Sequence, residues 1–177
     1  QEDNSTDPIR ECVKVPTNGT VYLYYGNNEV QTTSNGFNTF YTFFDDFEDG
    51  DVSDWSCDID QCYCDPIPFC ELTTGYKSSY SYKAHAEGEC SDCWSEARLN
   101  RTLFLPSDWN YEISPMIESN CSGVDPYVRF SVNNKVLWSS NVSVAWFRNR
   151  YSISEHSGDT IYIKFLAINY ESDSVAN

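Results

Sequence analysis

The stretch Val128-Arg129-Phe130-Ser131-Val132-Asn133-Asn134-Lys135-Val136-Leu137-Trp138 decides the fold. Val128, Phe130 and Val132 face one way, and Tyr127, Arg129 and Ser131 the other. A strand with one buried face has this period of two. Asn133-Asn134 then makes a two-residue hairpin turn, because asparagine tolerates the positive φ that such turns need. The run Val136-Leu137-Trp138 is the returning strand.

Working outward, the same alternation recurs. Ile161, Ile163, Phe165 and Ala167 form one series, entered through a turn at Ser157-Gly158-Asp159. Tyr80, Tyr82, Ala84 and Ala86 form another. A third is Ala97, Leu99, Arg101, Leu103 and Leu105, in which Arg101 is a flaw. Val144-Ala145-Trp146-Phe147 and Val21-Tyr22-Leu23-Tyr24-Tyr25 are further strand candidates. No helix longer than about two turns and no internal repeat is suggested. Short strands separated by Gly, Asn, Pro and Ser turns indicate an all-β, antiparallel sandwich.

The 177 residues fit one domain, or one domain with a short module. Aromatics make up 16% of the chain, as expected of strands. The net charge of −16 disfavours nucleic acid and anionic membranes as partners. No stretch reaches the roughly 20 apolar residues of a membrane span. Gln1-Glu2-Asp3-Asn4 reads as a mature terminus left by processing, or as a cut end.

There are 8 cysteines: Cys12, Cys57, Cys62, Cys64, Cys70, Cys90, Cys93 and Cys121. Their even count predicts four disulfides formed in an oxidising compartment. Zinc held by Cys62-x-Cys64 and Cys90-x-x-Cys93 is the rival reading. Glycosylation sequons at Asn4, Asn18, Asn100, Asn120 and Asn141 favour the outside of the cell. The expectation is a secreted, extracellular glycoprotein. Residues 56–75, rich in Cys and Pro, read as a stapled loop.

Asp45, Asp46, Glu48, Asp49, Asp51 and Asp54 crowd carboxylates around Gly50. Either a structural Ca²⁺ gathers them or they form a solvated turn. The chain reads as no enzyme. His85 and His156 carry no motif, and nucleophile elbows, zinc-protease motifs and phosphate loops are absent. Trp55, Trp94, Trp109, Trp138 and Trp146 are core residues or a sugar-stacking platform, with Trp109 the best candidate for exposure.

Val21 through Asn27, then Asn35-Gly36 and Phe40 through Phe47, resemble a junction in secreted archaeal and bacterial proteins. There a domain of unknown function ends in a strand and a Tyr-Gly-Asn turn. A concanavalin- or laminin-G-like jelly roll follows. Asp46 through Asp51, Trp55, Ser78 through Tyr82, Val132-Asn133-Asn134 and Ser157 through Thr160 are similar to that jelly-roll pattern. The resemblance implies an N-terminal arm and strand over 1–38 and a jelly-roll β-sandwich over 39–177, with a disulfide-rich loop region outside the general pattern. It also implies a closing strand that this chain, ending at Asp173-Ser174-Val175-Ala176-Asn177, is expected to lack. By architecture the chain is similar to archaeal cannula-type filament subunits. That likeness implies self-association by donation of a strand carrying Val13, Val15, Val21 and Leu23. The expected function is therefore an extracellular structural subunit stabilised by Ca²⁺, disulfides and N-glycans. The alternative is a carbohydrate-binding or adhesive module.

Overall fold

The computed structural model describes residues 20, 22, 42–61, 67–75, 79–86, 93–107, 109–121 and 126–171. The chain divides into two units, Gln1–Asp45 and Asp46–Asn177, a boundary seven residues beyond the expected 38. Of the first unit only Thr20, Tyr22 and 42–45 are described, none of them in a strand. The strand expected over 21–25 otherwise lies outside the described residues, as do Val13, Val15, Val21 and Leu23.

The second unit is all-β. Its strands are β1 (Ser56–Gln61), β2 (Phe69–Thr73), β3 (Ser81–His85), β4 (Cys93–Phe104), β5 (Glu112–Ile113), β6 (Met116–Ser119), β7 (Tyr127–Val132), β8 (Lys135–Ser140), β9 (Val144–Arg148), β10 (Tyr151–Ser152) and β11 (Thr160–Glu171). A single 3₁₀ turn, Ser154–His156, is the only helical element among the described residues. No helix there is long and apolar enough to cross a membrane. One five-stranded sheet runs β1-β4-β11-β7-β8, and three two-stranded ribbons pair β2 with β3, β6 with β9 and β5 with β10.

One expectation is corrected. The stretch 56–75 is not all irregular loop, because β1 and β2 lie within it. β11 pairs with β4 along its whole length and with β7 from Ile163 to Ile168.

Residues paired across an antiparallel ladder share a face. The inner face of the large sheet therefore reads Cys57, Leu99, Phe165, Phe130 and Trp138 across its width. Beside that row stand Arg101, Ile163 and Val132. Leu105, Ile117, Phe130, Val132, Ile153, Ile161 and Ile163 form the buried core. An aromatic chain runs from β3 to the large sheet: Tyr82 to Phe47 (5.9 Å), Phe47 to Trp55 (6.0 Å), Trp55 to Phe165 (5.9 Å) and Phe165 to Phe130 (4.7 Å). Trp138 meets Phe147 of the β6–β9 ribbon at 5.1 Å.

Arg101, the flaw in the alternation, does point to the inner face. Its side chain is 12% exposed, and its Nη2 lies 2.9 Å from Asp54 Oδ2. The guanidinium also sits 5.8 Å over the Trp55 ring. An ion pair and a cation–π contact thus compensate a burial that would be costly alone.

The Asn133-Asn134 turn is present, with φ of 48° and 65°. Asn133 also extends the β7–β11 ladder. Its N–H donates to the Tyr162 carbonyl (2.9 Å), and the Tyr162 N–H donates to Asn133 Oδ1 (2.8 Å). Asn133→Ala loses that acceptor and puts a Cβ-bearing residue without a polar tip at positive φ. It is expected to cost about 2 kcal/mol. Asn134→Gly should be neutral or mildly stabilising. Urea unfolding of both variants checks this. Equal effects would mean that the bond to β11 contributes nothing.

Candidate functional site

The outer face of the large sheet has a different character. Across the strands it reads Asp58, Arg98, Leu166, Arg129 and Ser139, and in the next row Ser56, Asn100, Lys164 and Ser131. Tyr127 and Tyr162 stand on the same face. Eight polar or charged groups from five neighbouring strands, besides the two tyrosines, are thus held at sheet spacing by a backbone whose other side is the core.

The groups are organised. Asn100 is only 2% exposed, and its Nδ2 donates to Asp58 Oδ2 at 2.6 Å. Ser131 and Leu166 are buried beside it. Arg98 pairs with Glu96 and, at 3.9 Å, with Asp60. The bond to Glu96 raises the Arg98 pKa. Arg129 Nη2 donates to the Tyr127 hydroxyl at 3.4 Å, and its guanidinium lies 5.0 Å over that ring. A hydrogen bond with Ser139, with Arg129 second, lowers the Tyr127 pKa. Lys164 Nζ stands 5.6 Å over the Tyr162 ring. Burial, then the charge of Asp58, raises the Tyr162 pKa. The face combines hydrogen-bond donors and acceptors with two ring systems, which is the inventory for recognising a hydroxyl-rich ligand.

The acidic segment is spent locally. Asp46 Oδ1 accepts from the Glu48 N–H (3.3 Å), Asp49 Oδ1 from Asp51 (2.9 Å) and Asp51 Oδ1 from Ser53 (2.8 Å). The Ser53 bonds lower the Asp51 pKa. Glu48 Oε1 accepts the Tyr80 N–H at 2.9 Å. Asp54 holds Arg101, and Asp45 falls in the first unit. Phe47 adopts φ 59° and Gly50 φ 71°, and the Gly50 N–H closes the turn on the Phe47 carbonyl. Among the described residues, no three His, Cys, Asp or Glu side chains are grouped to hold a metal ion.

Cys57 and Cys70 form a disulfide between β1 and β2. Cys121 carries a free thiol, a departure from the expectation that every cysteine is bridged. Cys12, Cys62, Cys64, Cys90 and the side chain of Cys93 lie outside the described residues, so neither their pairing nor the zinc alternative is placed. Among the sequons, Asn120 and Asn141 are exposed, and Ser143 Oγ donates to Asn120 Oδ1 at 3.3 Å. Asn4 and Asn18 lie outside the described residues. Asn100 is the correction. Its amide nitrogen is buried and bonded to Asp58, so the folded sheet has no room for a glycan there.

Trp109 is 55% exposed, as expected, whereas Trp55 and Trp138 pack on the core. His85 stacks on Phe69 (4.7 Å), and His156 Nε2 lies 3.7 Å from Glu155 Oε1. Sequence reasoning missed the outer face, although Tyr127, Arg129 and Ser131 had been read as pointing away from the core. The signal is the second phase of each alternation, which means little until the strands are placed side by side.

Residues 3–58 match a family model described as a domain of unknown function, DUF2341. The match covers the Tyr-Gly-Asn stretch and the acidic segment and ends in β1. No curated protein and no solved structure matches the chain.

Proposed function

We propose that this is a carbohydrate-binding module of a secreted protein, built on a jelly-roll-type sandwich, with the outer face of the β1-β4-β11-β7-β8 sheet as its ligand surface. One observation carries the reading: polar side chains and tyrosines from the five strands of the sheet share the face opposite the core. A hydroxyl-rich ligand needs such donors and acceptors at fixed positions, and its apolar ring faces need aromatic surface. The negative charge of the chain suits a partner other than nucleic acid.

A second reading, an extracellular assembly joined by strand addition, draws on β1. That strand pairs on one side only among the described residues, and most of its side chains are exposed. An open edge is a template for another strand.

A glycan array probed with the full chain tests the first reading. Binding is expected, and Tyr162→Ala should weaken it about tenfold, equivalent to about 1.4 kcal/mol. Trp109→Ala should leave it unchanged. Loss of binding in the Trp109 variant alone would move the site off the sheet. An array without binding, together with filaments in negative-stain images, would put strand addition in its place.

A further inference from the structure

We propose that Lys164 and Asn100 condense to an intramolecular amide bond between β11 and β4, with Asp58 carrying the protons. This goes beyond the carbohydrate reading and does not depend on it.

Register places the two reactants side by side. Lys164 of β11 pairs directly with Asn100 of β4, and both stand on the outer face. Directly paired residues hold their Cβ atoms about 4.5–5.5 Å apart. The flexible stem of a lysine can therefore fold back and bring its amine onto the neighbouring amide. The third group is already in contact. Asp58 Oδ2 accepts at 2.6 Å from Asn100 Nδ2, the atom that leaves in such a reaction.

The amide is sheltered, and its bonding is incomplete. Asn100 is buried, and its Oδ1 has no hydrogen-bond partner. Water and outside ligands do not reach that oxygen, so a donor has to come from a neighbouring side chain. The register partner carries one. Lys164 is half-buried, and its Nζ stands 5.6 Å over the Tyr162 ring. No carboxylate holds it among the described residues, whereas Lys83 and Lys135 pair with Glu71 and Glu155. An ammonium that turns toward Oδ1 satisfies that oxygen and brings Nζ to Cγ. Exclusion of water also protects the amide from hydrolysis, the competing fate.

The step balances without a co-reactant. Asp58 takes a proton from the Lys164 ammonium. The neutral amine attacks Asn100 Cγ, the new N–C bond forms, and the Cγ–Nδ2 bond breaks. Asp58 passes its proton to Nδ2, and a second proton follows by the same route, so the nitrogen leaves as ammonium ion. One ammonium and one primary amide become one secondary amide and one ammonium ion. Nothing is oxidised or reduced, and Asp58 ends as the carboxylate it was. The product joins the two longest strands of the sheet, each of 12 residues, by a link that reducing agents leave intact.

Tryptic mapping of the full chain by mass spectrometry, after complete reduction, tests this. Residues Leu99–Arg101 are expected joined to Tyr151–Asn177, lighter than the two peptides together by about 17 Da, the mass of the ammonia released. Cyclisation of Gln1 releases the same mass, so the loss is read on the joined peptide and not on the intact chain. Asp58→Ala keeps both reactants and should give no joined peptide. Lys164→Arg keeps the charge and should give none either. If these variants do not fold, the map of the unaltered chain decides alone. Separate Leu99–Arg101 and Tyr151–Lys164 peptides from the unaltered chain would overturn the proposal. A joined peptide as abundant in Asp58→Ala as in the unaltered chain would overturn the role given to Asp58.

Discussion

Phe130→Ala is expected to destabilise the β unit by about 3–5 kcal/mol, the usual cost of emptying a buried phenylalanine site. Phe130 is 0% exposed in β7. Its ring stacks on Phe165 at 4.7 Å and meets Tyr151 of the β5–β10 ribbon at 5.7 Å. Truncation removes the contact between the large sheet and that ribbon and leaves a cavity that neighbouring strands cannot close without breaking register. At roughly 2–4 °C per kcal/mol for a chain of this size, the melting midpoint should fall by about 10 °C. Phe104→Ala is the control. Phe104 is 59% exposed on the outer face, and its loss should stay within about 0.5 kcal/mol. Thermal and urea unfolding measure both. A cost below about 1 kcal/mol for Phe130→Ala would mean that the core does not run through β7.

The position of Phe130 was legible because its strand buries one face only. Val128, Phe130 and Val132 alternate with polar residues, and so do Ile161, Ile163 and Phe165 with theirs, which fixes both strand type and inward face. β1 gives no such signal. Ser56-Cys57-Asp58-Ile59-Asp60-Gln61 lies at a sheet edge, so most of its side chains are exposed and its sequence looks like loop. Cysteine and proline spacing then dominated the reading of 56–75 and hid β2 as well. The two-residue strands β5 and β10 are too short to carry any period. Arg101 looked like an error in a strand pattern and Asp54 like a member of an acidic cluster. Each explains the other once they are 2.9 Å apart.

The candidate site was less legible than the fold, for a related reason. A sequence displays chemistry concentrated along the chain, and the acidic segment 45–54 is conspicuous on that basis. The outer face is assembled across strands: Asp58 from β1, Asn100 from β4, Lys164 from β11 and Arg129 from β7. In sequence each is one polar residue in a strand, the expected partner of an inward apolar one. Asn100 was further masked by the threonine two residues on, which makes it a sequon. Only pairing shows that its side chain is fixed by Asp58 and that Arg129 and Lys164 make no ion pair among the described residues.

Breaking the Cys57–Cys70 bridge should have the second largest effect on stability. The cysteines are 13 residues apart, and closing a loop of that size stabilises by about 3 kcal/mol in the chain-entropy model. Cys57→Ser with Cys70→Ser is expected to lower the melting midpoint by roughly 6–12 °C. The loss should also be local. Among the described residues β1 pairs with β4 alone, and the bridge fastens it to β2, whose ladder partner is β3. Without the bridge, β1 can fray from the sheet while β4, held on its other side by β11, stays paired. Hydrogen exchange should then accelerate at Cys57 through Gln61 well before it does in β11. Because Asp58 sits in β1 and holds the Asn100 amide, fraying should also free that amide. An unchanged melting midpoint with unchanged exchange in β1 would show that the ladder to β4 secures the strand without the disulfide.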